Sequence, residues 1–134
     1  MIYAALVRIQ IYKYIALIRP TSPVRRNGLI DDAIKLLEDN KNLTSIRAMR
    51  KVSEHPFRIW KEIESKENLV PIIEDIFEPG NVPRQLHSDN YFYQSGEIEL
   101  VRRSTLQLGS ISGVKVGALL MDQKNPDIDT LDDI

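Results

Sequence analysis

Hydrophobic and polar positions recur with two different periods along this chain, and the changes of period mark its elements. Residues 14–18, YIALI, form a short apolar run rich in β-formers and closed by Pro20 and Pro23. Such a run predicts a buried strand. After the turn RPTSPVRRNG, Leu29, Ala33, Leu36 and Leu37 return at helical spacing, which predicts a helix over 28–39. Asn27 is the expected N-cap, and Asp31 and Asp32 fall in the first turn, where carboxylates complement the helix dipole. LTSIRAMRKV (43–52) alternates in the manner of a second strand. Strand, helix and strand in this order predict a βαβ unit, and with it an α/β fold built on a parallel sheet.

The middle of the chain changes character. Residues 53–95 carry four of the seven prolines and most of the aromatic side chains, in short irregular pieces such as EHPFRIWKEI, FEPGNVPRQ and NYFYQSG. This composition predicts an arm or β-hairpin excursion. Strands resume at EIELVR (97–102) and VKVGALL (114–120), with GSISG (109–113) as the turn between them, and TLDDI opens a final helix. No repeat or flexible linker interrupts the series, so the expectation is a single domain, 1–134.

Composition narrows the function. At 134 residues and 43% hydrophobic content, the chain can build one real core. Its net charge of −1, from 18 basic and 19 acidic residues, gives no electrostatic case for nucleic acid or an anionic membrane. The absence of cysteine excludes disulfides, thiolate metal sites and a cysteine nucleophile, and is compatible with a cytoplasmic protein. The opening MIYAALVRIQIYKYIALI is interrupted by Arg8 and Lys13, far short of the ~20 apolar residues needed to span a bilayer. It reads as a soluble helix or strand.

Three stretches carry candidate chemistry. In PDIDT, Asp127 and Asp129 flank one isoleucine. In an extended segment their Cα atoms would lie roughly 6.5–7 Å apart on one side, suited to a hard cation such as Mg²⁺. The same residues also suit a helix N-terminus, with Asp129 or Thr130 as the cap and Asp132 and Asp133 near its positive end. In PTSPVRR, Thr21, Ser22 and Arg25 follow a strand directly, and the carboxyl ends of strands in open sheets are where ligands bind. An ordinary proline-bounded turn would look the same. Arg84, in NVPRQL, can grip a carboxylate with two parallel hydrogen bonds or stand as a surface arginine. His55 and His87 are 32 residues apart without cysteine or regular spacing, which argues against zinc.

The order YIALIRPTSPVR, HPFRIW, VPRQ, GEIELVRRSTL and DIDT resembles the acylneuraminate cytidylyltransferase family from about residue 12 onward. The resemblance implies an incomplete Rossmann-like nucleotidyltransferase sheet with helices on its faces and a protruding β/loop dimerisation arm. It implies transfer of CMP from CTP to a keto-acid sugar with release of pyrophosphate, in a homodimer. By position, Asp127 and Asp129 become the catalytic pair that holds Mg²⁺. Thr21, Ser22 and Arg25 would lie near nucleotide and sugar, and Arg58, Arg84 and Gln85 would address the acidic sugar. The chain departs from the family pattern where Arg19 replaces a glutamine and Ser95-Gly96-Glu97-Ile98-Glu99 replaces N-G-A-I-Y. It also has no counterpart of the family's N-terminal glycine-rich basic loop, so the chain is expected to be a truncated or split enzyme, inactive alone. A non-catalytic remnant that oligomerises or binds sugar is the alternative.

Overall fold

The computed structural model describes residues 11–63, 65–87, 90–122, 128 and 130. The chain divides into two compact units, one formed by Met1–Arg50 with Gln94–Ile134 and the other by Lys51–Tyr93. Among the described residues, no helix is long and apolar enough to cross a membrane.

The first unit is a mixed α/β assembly. Its four strands are β1 (Tyr14–Leu17), β2 (Ser45–Lys51), β5 (Phe92–Arg102) and β6 (Val116–Leu120), in the spatial order β1-β5-β2-β6. β1 runs antiparallel to β5, pairing Tyr14 with Arg102 and Leu17 with Glu99. β2 runs parallel to β6, pairing Ser45 with Val116 and Met49 with Leu120. The sheet is therefore mixed, and the expectation of a parallel βαβ sheet is corrected: β5 stands between β1 and β2. The reason lies in β5 itself, where Glu97 to Val101 are all buried. A strand buried on both faces takes the middle of a sheet, and the four-residue β1 is left at the edge.

Helix α1 (Leu29–Asp39) covers one face of this sheet. Leu29, Ala33 and Leu37 form its buried stripe and pack with Ile46, Ala48, Ile98, Leu100 and Met121. The helix begins on Gly28, at φ 74°, without a side-chain cap, so Asn27 is not the cap that its sequence position suggests. A left-handed entry turn suits glycine and leaves no place for an Asn side chain to reach the first amides. Arg26 instead pairs with Asp32 at 2.6 Å.

The far end of α1 has no basic residue in its last turn. Arg102, from β5, supplies the missing positive charge. Its guanidinium donates to the carbonyls of Leu37, Asn40 (3.3 Å) and Leu43 (2.8 Å). These bonds satisfy orphan carbonyls and place a cation at the negative pole of the helix. After Arg102 a short helix, α2 (Arg103–Gln107), precedes the turn over 109–113.

The second unit contains a two-stranded antiparallel sheet, β3 (Trp60–Ile63) and β4 (Ser65–Pro71), with Trp60 opposite Pro71. The proline-rich pieces around it form short 3-10 turns at Pro56–Arg58, Pro79–Asn81 and Arg84–Leu86. Proline at the first position of such a turn gives up a hydrogen bond the turn does not need.

Candidate functional site

The loop after β1 supplies the first wall of the site. Ser22 is buried and donates its N–H to the Arg19 carbonyl at 3.3 Å, closing the PTSP turn. Arg25 folds back over that turn, donating Nε to the Glu97 carbonyl (3.0 Å) and an Nη to the Arg19 carbonyl. Gly96, at φ 83°, lies directly under the loop: a Cβ there would stand 3.3 Å from Ser22 Oγ and 3.9 Å from Arg19 Cδ. Only glycine suits both the backbone conformation and the close approach.

The face of the sheet opposite α1 supplies the floor. On β5, Glu97 and Glu99 alternate with the core residues Ile98 and Leu100, so their side chains point away from the helix. Both carboxylates are nevertheless buried, as are Arg47 and Arg50 of β2. Glu99 accepts from Arg19 Nη2 (2.5 Å), from Arg47 Nη1 (2.9 Å) and from Gln94 Nε2 (2.7 Å). Arg47 also donates to Gln94 Oε1 (2.6 Å) and Ser112 Oγ (2.5 Å). Glu97 is held by Arg50 and by the Ser95 hydroxyl. Charges removed from water at this cost persist only when they are paired and hydrogen-bonded, and here each carboxylate is.

A third segment reaches the same place. The N–H of Ile128 donates to the Thr21 carbonyl at 2.7 Å. The residue between the two predicted metal ligands is thus tethered to the PTSP loop. Asp127 and Asp129 themselves lie outside the described residues.

Thr21, Ser22 and Arg25 are therefore brought together in the first unit. Arg58, Arg84 and Gln85 belong to the second, and all three are exposed. Arg58 ends the Pro56–Arg58 turn, and Arg84 lies 4.0 Å from Glu54. The two histidines, unpromising by spacing, meet in this unit: their rings stack at 4.0 Å and 24°. His55 Nδ1 accepts from the Phe57 amide at 3.3 Å, which puts the proton of the neutral ring on Nε2. Phe57 and Tyr91 stand edge-on to His55. The two histidines border a cavity of about 210 Å³ also lined by Lys51, Ser53, Asn90 and Tyr91. Among the described residues no group of three His, Asp or Glu side chains is arranged to hold a metal.

The fold of the chain is like that of a CMP-sugar synthetase. The chain matches the structure of CMP:2-keto-3-deoxy-manno-octonic acid synthetase complexed with CTP, with a TM-score of 0.59 and 12% identity over 96% of its own length. It spans 62% of that protein. At this identity the likeness is one of fold. No protein-family model and no curated protein matches the sequence.

The polar floor beneath the PTSP loop carries no local signal of burial in the sequence. Arg47, Gln94, Glu97, Glu99 and Ser112 were unremarkable because an alternating strand with a charged face reads as half in water. The signal that was present is Gly96 between polar residues in a strand, which marks a close backbone approach.

Proposed function

We propose that this chain is part of a cytidylyltransferase that transfers CMP from CTP to a keto-acid sugar. The observation that carries the reading is the tether between Ile128 and the Thr21 carbonyl. It joins the acidic D-x-D segment to the PTSP loop at the end of β1, in a fold like that of a synthetase solved with CTP bound.

In the reaction, the anomeric hydroxyl oxygen of the sugar attacks the α-phosphorus of CTP. The bond from that phosphorus to the oxygen bridging to the β-phosphate breaks, pyrophosphate leaves, and the hydroxyl proton passes to solvent or a base. The protein's task is alignment and neutralisation of charge. Thr21, Ser22 and Arg25 orient the reactants at the strand end. Two carboxylates one residue apart suit the oxygen-seeking Mg²⁺. Asp127 and Asp129 would hold it, and it would supply charge neutralisation for the triphosphate.

The test is Mg²⁺-dependent binding of CTP by calorimetry, followed by pyrophosphate release with a panel of keto-acid sugars. The release assay is run with the chain alone and with a separately produced polypeptide carrying a glycine-rich basic loop. The expected result is weak metal-dependent CTP binding by the chain alone and turnover only when the second polypeptide is present. No metal-dependent CTP binding and no turnover in either arrangement would overturn the assignment.

The same reading includes a homodimer formed through the second unit. Phe77 is 89% exposed and Trp60 51%, and both line a groove of about 530 Å³ with Ile73 and Ile76. Apolar surface of this kind, edged by Glu74 and Glu78, is costly to leave in water. Light scattering should show a dimer at tens of micromolar (roughly the range of a weak interface), and Phe77→Glu should shift it to monomer. A monomeric wild type at that concentration would exclude this interface.

A further inference from the structure

Four guanidinium groups meet the two glutamates of β5, Glu97 and Glu99. Arg47 is matched by Glu99 and Arg50 by Glu97, all four buried. The two remaining positive charges, on Arg19 and Arg25, both belong to the loop after β1. Arg25 spends its donors on the backbone carbonyls of Glu97 and Arg19.

Arg19 is different. One nitrogen, Nη2, is fixed to Glu99 at 2.5 Å, while the side chain is 48% exposed. Among the described residues, its Nε and Nη1 meet no acceptor. Glu99 cannot swing away, because Arg47 and Gln94 hold it from the other side. The Arg19 backbone is pinned as well, since its carbonyl accepts from Ser22 N–H and from Arg25. The rotamer entropy that a long side chain normally loses on binding has thus been lost already in folding. What remains are the N–H donors on Nε and Nη1, half exposed and with a surplus positive charge behind them, each able to give a charge-assisted hydrogen bond to an oxygen of a carboxylate or phosphate.

We propose that Arg19 is an oxyanion receptor of this site and that Glu99 is the positioning residue that aims it. The proposal rests on the nucleotide-and-sugar reading only for the source of the oxyanion, a phosphate of the nucleotide or the carboxylate of the acceptor.

The experiment titrates the 134-residue chain with two probes, inorganic pyrophosphate and 2-keto-3-deoxy-manno-octonic acid, by calorimetry. Arg19→Gln removes a group already half in water, so the fold is retained, as melting temperature will verify. It should weaken one of the two probes by about 10- to 100-fold, the loss expected for a charge-assisted hydrogen bond. The probe affected identifies the source. Arg19→Lys should recover part of that loss, because it restores the charge without the planar set of donors. Glu99→Gln should weaken the same probe several-fold although Arg19 is still present, which a mere counter-charge to Glu99 would not do. Binding of neither probe by the wild type, or wild-type affinity in Arg19→Gln, would overturn the proposal. Arg19-dependent pyrophosphate binding without any CTP-dependent turnover would instead retain the receptor and remove cytidylyl transfer.

Discussion

Glu97→Ala should lower the stability of the sheet unit by about 3–5 kcal/mol, enough to consume a large share of the roughly 5–15 kcal/mol that holds a domain of this size together. Glu97 is 1% exposed and its carboxylate is held by Arg50 and the Ser95 hydroxyl. Deleting it takes that counter-charge from the buried guanidinium of Arg50, and the penalty is the desolvation of that charge more than the lost attraction. The contrast is Glu38, whose partner Lys13 lies 3.0 Å away, both side chains being exposed. The hydrogen bond from Lys13 holds the Glu38 carboxyl below its ordinary value, but water screens such pairs, so Glu38→Ala should barely move the unfolding midpoint. Urea denaturation of the two variants decides the matter. Equal shifts would mean that the sheet face is wetter than its geometry indicates. Replacing Glu97 and Arg50 together by leucine should recover most of the loss, since an apolar pair of similar volume can fill the site without a stranded charge.

The second large effect concerns the acidic pair beside Ile128. Asp129→Asn should weaken Mg²⁺-dependent CTP binding by about tenfold or more, and the double replacement with Asp127→Asn should abolish the metal dependence, both without loss of secondary structure by circular dichroism. The alternative role, capping of a following helix, predicts a different pattern. A lost cap costs about 0.5–2 kcal/mol of stability and leaves the metal dependence untouched. Calorimetry at several Mg²⁺ concentrations, run beside thermal melts, separates the two. Unchanged metal dependence with a lowered melting temperature would assign the pair to capping.

Legibility of this molecule from its sequence follows the range of the interaction. The stripe of Leu29, Ala33 and Leu37 marks α1, and the apolar runs at 14–18 and 114–120 mark strands, because both are properties of neighbouring residues. The burial expected of the first run is not found, since Leu17 is half exposed in the edge strand β1. The PTSP turn after the first strand was legible for the same reason. The tertiary structure alone decided the order of the strands and the insertion of β5 between β1 and β2, since pairing partners are chosen by burial on both faces. It also decided the fate of the polar face. Glu97 and Glu99 carry the same local signal whether water or arginine covers them. The covering groups come from far along the chain: Arg50 is 47 residues from Glu97, and Arg19 is 80 residues from Glu99. His55 and His87 likewise gave no local sign of stacking. Local sequence determined which side chains would face each side of the sheet. What those side chains would meet there was set by long-range packing, because a buried charge is stable only beside the partner the fold brings to it.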